Sequence, residues 1–230
     1  MRAIYMIFYG LIIIGILGAC SKDESLLKDN SKAEEVQVYD DHEGHDHDED
    51  EGHEHDVELD YKKLDEAIAH VLKEIPSFSI QKEVEKGTEG NLLDYFNEDK
   101  MEFRLKVESY IGNQEYNNQE IQAYAQLYLK EDLMAIEIAR NKYNIEVSQS
   151  EVAQYINDNI QGITPEEKEQ YAKSIGVTLE ELDNIFDRDR YIMDVLWTKL
   201  TPILMEKYPQ KEGESEMEYQ ERLANEFYNV

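Results

Sequence analysis

The chain has 230 residues, with 52 Asp and Glu against 23 Lys and Arg and a formal net charge of −29. That balance repels nucleic-acid phosphates and excludes a DNA- or RNA-binding role; it also argues against adsorption to anionic lipid headgroups. Four Pro and eleven Gly are few for a turn-rich β architecture, and one Cys excludes an intrachain disulfide framework or a Cys-rich metal site.

Residues 1–19 read MRAIYMIFYGLIIIGILGA. Arg2 supplies a minimal positive n-region. The apolar run to about Leu17 has the length of a secretory h-region and is short for a bilayer span. It ends in Leu17-Gly18-Ala19-Cys20, which resembles a bacterial lipobox. The resemblance implies cleavage before Cys20, a diacylglycerol thioether on that Cys and an amide-linked acyl chain such as palmitate. Several acyl chains anchor stably where one does not. The alternative is an uncleaved anchor helix with an incidental Cys; both place the body outside the cytoplasmic membrane. Usage rich in Ile, Lys, Asn, Glu and Tyr points to a low-GC Gram-positive source, with the anchor in the outer leaflet of the cell membrane.

Residues 20–60 show almost no apolar periodicity. Between Asp40 and Asp60 stand twelve acids, five His and no Lys or Arg. Such a segment buries too little apolar surface to offset its ordering entropy, which predicts a disordered, self-repelling tether. Within it, HEGHDHDEDEGHEHD carries His42, His45, His47, His53 and His55. Imidazoles in two H-x-H pairs among carboxylates suit Zn, Ni or Cu, so these five are the candidate metal ligands. A flexible site must be ordered by its metal, so binding is expected to be weak and exchangeable. A solvated spacer and a pH-sensing segment are the other readings. No cofactor is required by anything in the sequence.

From residue 61 the period becomes 3.6. Leu64, Ile68, Val71, Leu72 and Ile75 mark one helical face that Pro76 ends, with His70 at its boundary. Residues 76–91 read as a loop or short irregular piece. Leu92 to Ile111 reads as one helix, broken by Gly112-Asn113. Residues 118–143 form a long helix in which Tyr124, Tyr128 and Met134 are expected in the core. Capping boxes follow at Ser148/Glu151, Thr164/Glu167 with Pro165 at the first helical position, Thr178/Glu181 and Ser215/Glu218. Gly176 stands where a helix C-cap is wanted. From Leu179 a helix is expected to run through Leu200, with Pro202 kinking or ending it, and a last helix runs to about Tyr228. Trp197, Lys199 and Arg190 read as a core-edge group. The fold class is all-α.

Two phrases carry a resemblance. Ala139-Arg140-Asn141-Lys142-Tyr143-Asn144-Ile145-Glu146-Val147-Ser148 runs on to Glu151-Val152, and Ala172-Lys173-Ser174-Ile175-Gly176-Val177-Thr178 runs on to Glu181-Leu182. Residues 133–204 resemble the N-terminal chaperone module of SurA- and PrsA-type foldases. Asn144 stands where that family has Gly, and the Gly112-Asn113 pair reverses its usual order. The resemblance implies a SurA-N/trigger-factor-C-like helical domain that cradles unfolded polypeptide. Only 26 residues follow Leu204, too few for the parvulin domain of that family, so no prolyl isomerase activity is expected. The chain accordingly divides into a signal peptide (1–19), a tether (20–60), a helical segment (61–112), a SurA-N-like domain (113–205) and a linker with a C-terminal helix (206–230).

No G-x-S-x-G, P-loop, H-E-x-x-H or G-x-G-x-x-G is present. Glu166, Glu167, Glu180 and Glu181 read as first-turn residues favoured by the helix dipole. The chain is therefore expected not to be an enzyme. Its expected partners are unfolded or secreted polypeptides or a dedicated envelope protein, with the membrane reached through Cys20. The competing expectation is a metal-binding lipoprotein acting through its tether.

Overall fold

Several helices of this chain begin where a side-chain oxygen meets the otherwise unbonded amides of a first turn. Asn97 accepts from the Lys100 amide at 2.7 Å and opens α3 (Glu98–Ile111). Asn117 and Glu120 form a reciprocal box that opens α4 (Asn118–Tyr143). Ser148 with Glu151 opens α5 (Gln149–Asn159), and Ser215 with Glu218 opens α8 (Glu216–Tyr228). Thr178 with Glu181 opens a helical turn, Leu179–Glu181. The remaining helices are α1 (Tyr61–Glu74), α2 (Ile80–Glu85), α6 (Glu166–Ile175) and α7 (Arg188–Lys207). The computed structural model describes residues 61–85, 90–114, 116–162 and 165–229. Among the described residues every regular element is helical and no strand is present. Cys20, the five tether histidines and Thr164 lie outside them.

Two helices end on left-handed residues. Gly176, at φ 78°, closes α6, as its place in the sequence predicts. Asn144, at φ 53°, closes α4 and lets the Ile145 amide donate to the Ala139 carbonyl at 3.0 Å. Asn tolerates this conformation better than most other side chains do, so the turn forms without a Gly.

Several boundaries differ from the sequence reading. The segment 76–91 contains α2. The helix expected over Leu92–Ile111 is two elements, a 3-10 turn (Leu92–Tyr95) and α3, because Asn91 and Asn97 each cap a separate start. Pro165 precedes α6 in an extended conformation (φ −64°, ψ 148°) rather than occupying its first turn. The helix expected from Leu179 is interrupted: a π-helical turn (Leu182–Phe186) leads to Asp187, where α7 begins anew. Pro202 does not end α7, which runs on to Lys207.

The apolar side chains gather in three clusters. In the first, α1 lays Leu64, Ala67, Ile68 and Val71 against α3, α6 and the π turn. Its centre is a ring triad: Phe78 stacks on Phe103 at 4.9 Å, and Phe103 meets Phe186 edge-on at 6.1 Å. Full burial of a Phe contributes about 1.5–3 kcal/mol, and each such ring pair about 0.5–1.5 kcal/mol more. The second joins the 3-10 turn, α5 and the first half of α7 through Tyr95, Val152, Ile156 and Ile192. The third packs the end of α4 and the second half of α7 against α8, around Leu200 and Phe227. Small residues Ala135 and Ala139 let α4 approach closely there.

Candidate functional site

The N-terminal half of α4 is sparsely covered. Only Ile121 and Ala125 are buried between Asn118 and Met134, where the helix rests on α3. Beside that narrow seam the sequence places Tyr124, Leu127, Tyr128, Met134 and Ile138, which at 3.6 residues per turn fall on one side of the helix. Tyr124 is 42% exposed and Leu127 44%, while Tyr128, Met134 and Ile138 are half-buried. Tyr116, 47% exposed, stands edge-on to Tyr124 with ring centroids 5.9 Å apart, and Tyr124 stacks along Tyr128 at 6.2 Å. The expected core position of Tyr124 is thus overturned, and Tyr128 and Met134 are only partly covered. The apolar stripe is wider than the seam that α3 provides, so its edge faces water.

Carboxylates border this aromatic row. Glu120 lies one turn before Tyr124 and Glu131 one turn after Tyr128. The Tyr128 phenol is pushed up, by burial first and then by the neighbouring phenols and the charges of Glu131 and Glu108.

α3, on which this half of α4 rests, is itself tied to α7 by a buried ionic cluster. Arg104, 3% exposed, sends Nη1 to Asp189 at 2.6 Å and Nη2 to Asp187 at 2.8 Å and to the Phe186 carbonyl at 2.8 Å. Lys100 donates to Asp189 at 2.9 Å and to the carbonyls of Tyr95 and Phe186. Burial disfavours every charge here. It pushes Lys100 down to about 8 against the pull of Asp189. For Asp189 the two cations overcome burial and hold the carboxyl well below its ordinary range. Lys100 has its ammonium committed to three acceptors, which makes it a brace between α3 and α7 and not an available base. Lys168 and Tyr191 satisfy the neighbouring Asp183, at 2.6 Å and 3.0 Å. Half-buried Asp132 of α4 feels the charges of Asp189, Arg104 and Glu131; burial, then Asp189, pushes its carboxyl up to about 7.

A second, open groove on α7 is lined by Tyr155, Asp194, Trp197, Thr198 and Pro202. Tyr155 donates to Asp194 at 3.4 Å, and burial pushes the Asp194 carboxyl up to about 6. The group expected from Trp197, Lys199 and Arg190 is not assembled: Trp197 stands on Phe227, Lys199 pairs with Glu151 at 2.5 Å, and Arg190 reaches toward Asp187. His70 is exposed on α1, where Nε2 lies 3.0 Å from Glu74 and the ring meets Tyr110.

The residues singled out for lipidation and metal binding, Cys20 and His42, His45, His47, His53 and His55, lie outside the described residues. Among the described residues no cluster of three His, Cys, Asp or Glu is placed to hold a metal, and no helix is long and apolar enough to cross a membrane. Sequence reasoning missed the aromatic row; the signal available was the excess of large apolar residues over the width of one helix seam. No known protein family, no curated protein and no solved structure matches the chain.

Proposed function

We propose that this chain is a lipid-anchored extracytoplasmic protein whose helical body holds non-native segments of secreted polypeptides, without isomerase chemistry. The observation that carries the reading is the row formed by Tyr116, Tyr124, Leu127 and Tyr128, an apolar strip left open on a strongly acidic body. Contiguous exposed apolar surface on a soluble body marks interaction sites, and a helix face with aromatic side chains accepts varied sequences. The lipobox-like Leu17-Gly18-Ala19-Cys20 and the acidic segment behind it would hold that face at a distance from the bilayer.

The test is suppression of aggregation of a thermally unfolded model protein by the chain from Cys20 onward, carrying Cys20→Ser. Suppression near stoichiometry that is lost in Tyr124→Ser/Leu127→Ser supports the reading. Absence of suppression at molar excess removes it.

A second reading rests on a separate observation, five histidines interleaved with acids in HEGHDHDEDEGHEHD. It makes the segment a weak site for Zn, Ni or Cu through His42, His45, His47, His53 and His55. Titration calorimetry of Zn into a peptide covering residues 40–57 decides it; no binding in the micromolar range eliminates this role.

A further inference from the structure

We infer that the aromatic row on α4 selects extended polypeptide segments in which Lys or Arg alternates with apolar residues. The inference rests on the holdase reading and adds the class of client.

The geometry is that of a cation-accepting strip. Glu120, Tyr124, Leu127, Tyr128 and Glu131 follow one another at spacings that keep them on one side of α4. Glu108, exposed near the end of α3, adds a third carboxylate, whose charge reaches the Tyr128 phenol together with that of Glu131. Phenol faces attract ammonium and guanidinium groups, and flanking carboxylates add to the attraction. The two central rings are 6.2 Å apart and nearly parallel at 19°, and the exposed parts of Tyr116 and Tyr124 leave aromatic surface for a bound side chain. Leu127, exposed on the same side of the helix, supplies an apolar contact.

Charge decides among the possible occupants. A second copy of this chain would bring another strongly acidic body to the strip, since residues 61–230 hold 35 acids against 19 bases. The chain's own segment 40–60 carries twelve acids and no Lys or Arg. Both are repelled. A polypeptide with net positive charge near its apolar side chains is the complementary partner.

The test measures binding of three short fluorescent peptides with one fixed pattern of Leu and Phe and with Lys, Ser or Glu at the alternate positions. The protein is the chain from Cys20 onward with Cys20→Ser, as wild type, as Glu108→Gln/Glu120→Gln/Glu131→Gln and as Tyr124→Ser/Leu127→Ser. Gln at position 120 can still reach the Asn117 amide, so the cap of α4 survives. The expected order of affinity is Lys above Ser above Glu. The triple variant should weaken the Lys peptide about five- to tenfold while leaving the Ser peptide within about twofold. Raising salt from about 0.05 M to about 0.5 M should remove the difference between the Lys and Ser peptides. If wild type binds the Lys and Ser peptides equally, and both are lost in Tyr124→Ser/Leu127→Ser, the selectivity is wrong and the holdase reading stands. If the triple variant keeps the full Lys preference, these three carboxylates do not select the client and the inference is overturned. If neither peptide binds wild type, the aromatic row is not a client site and both proposals fall.

Discussion

Arg104 and Asp189 meet through a two-pronged contact in the interior, Nη1 to Oδ2 at 2.6 Å and Nη2 to Oδ1 at 3.0 Å. The pair joins α3 to the first turn of α7. Taking both charges out of water offsets much of their attraction, so the pair is not itself a large source of stability. Removing one member is different. Arg104→Met should lower the unfolding free energy by about 3–5 kcal/mol, because two buried carboxylates lose the guanidinium they share and keep only Lys100, on Asp189, and the more distant Arg190, near Asp187. Urea unfolding followed by circular dichroism measures this. Lys62→Ala, which removes an exposed pair with Glu66, should change it by less than about 1 kcal/mol.

Asp132 gives the chain a dependence on pH that runs opposite to that of Asp189. Its carboxyl is raised from 3.8 to about 7 by burial and by Asp189, so the folded state holds the proton more tightly than the unfolded chain. This contribution is fully present below about pH 4 and is lost as pH rises toward 7. Asp189, whose carboxyl is lowered, contributes stability that disappears as pH falls through the acid range below the unfolded value. Asp132→Asn should therefore flatten the decline in melting temperature between pH 5 and pH 8, with at most about 4 kcal/mol gained at the alkaline end. An unchanged slope would show that Asp132 is ionised at no cost in the fold.

Pro202 sits inside α7, is exposed, and has no amide to offer the carbonyl of Thr198. The helix continues past it to Lys207 because Leu200 and Leu204 are anchored in the third apolar cluster on either side. Pro202→Ala restores the missing hydrogen bond and should raise the unfolding free energy by about 1–3 kcal/mol. Calorimetric melting of the two proteins at one pH tests it.

The caps offer a paired comparison. Ser148→Ala removes the acceptor for the Glu151 amide and should destabilise by about 1 kcal/mol, whereas Ser148→Asp should recover most of that loss. At Gly176 an added Cβ meets nothing within 4 Å, yet φ is 78°. Gly176→Ala should still destabilise by about 1 kcal/mol from backbone conformation alone. Denaturant midpoints at constant slope report both.

What was readable in the sequence and what was not divides along local and distant causes. The limits of α4 are written beside it, in the Asn117/Glu120 box and in Asn144. The same holds for α5, for the turn at Thr178 and for α8, each announced by a hydroxyl and a carboxylate three residues on. The interruption at Asp187 is not local. The Phe186 carbonyl, released from the regular helical ladder by the π turn, is taken up by Lys100 and Arg104, which stand 86 and 82 residues earlier in the chain. No window of the sequence around residue 187 contains those partners. The aromatic row escaped for a related reason. Helical spacing identifies the apolar side of α4, and only the width of the neighbouring helix decides how much of that side is covered. Tyr124 and Ala125 are adjacent in sequence, one exposed and one buried.

The placement of α7 has a consequence for how the chain comes apart. Its 20 residues reach about 30 Å. Ile192 and Val195 belong to the second apolar cluster, Leu196 and Leu200 to the third, and Asp189 is bolted to the helix that carries Phe103 of the first. Loosening any one cluster frees a stretch of the rod on which the other two are built. The body should therefore melt in one transition with no stable half-molecule, and amides in the middle of α7 should exchange with solvent only when the whole body opens.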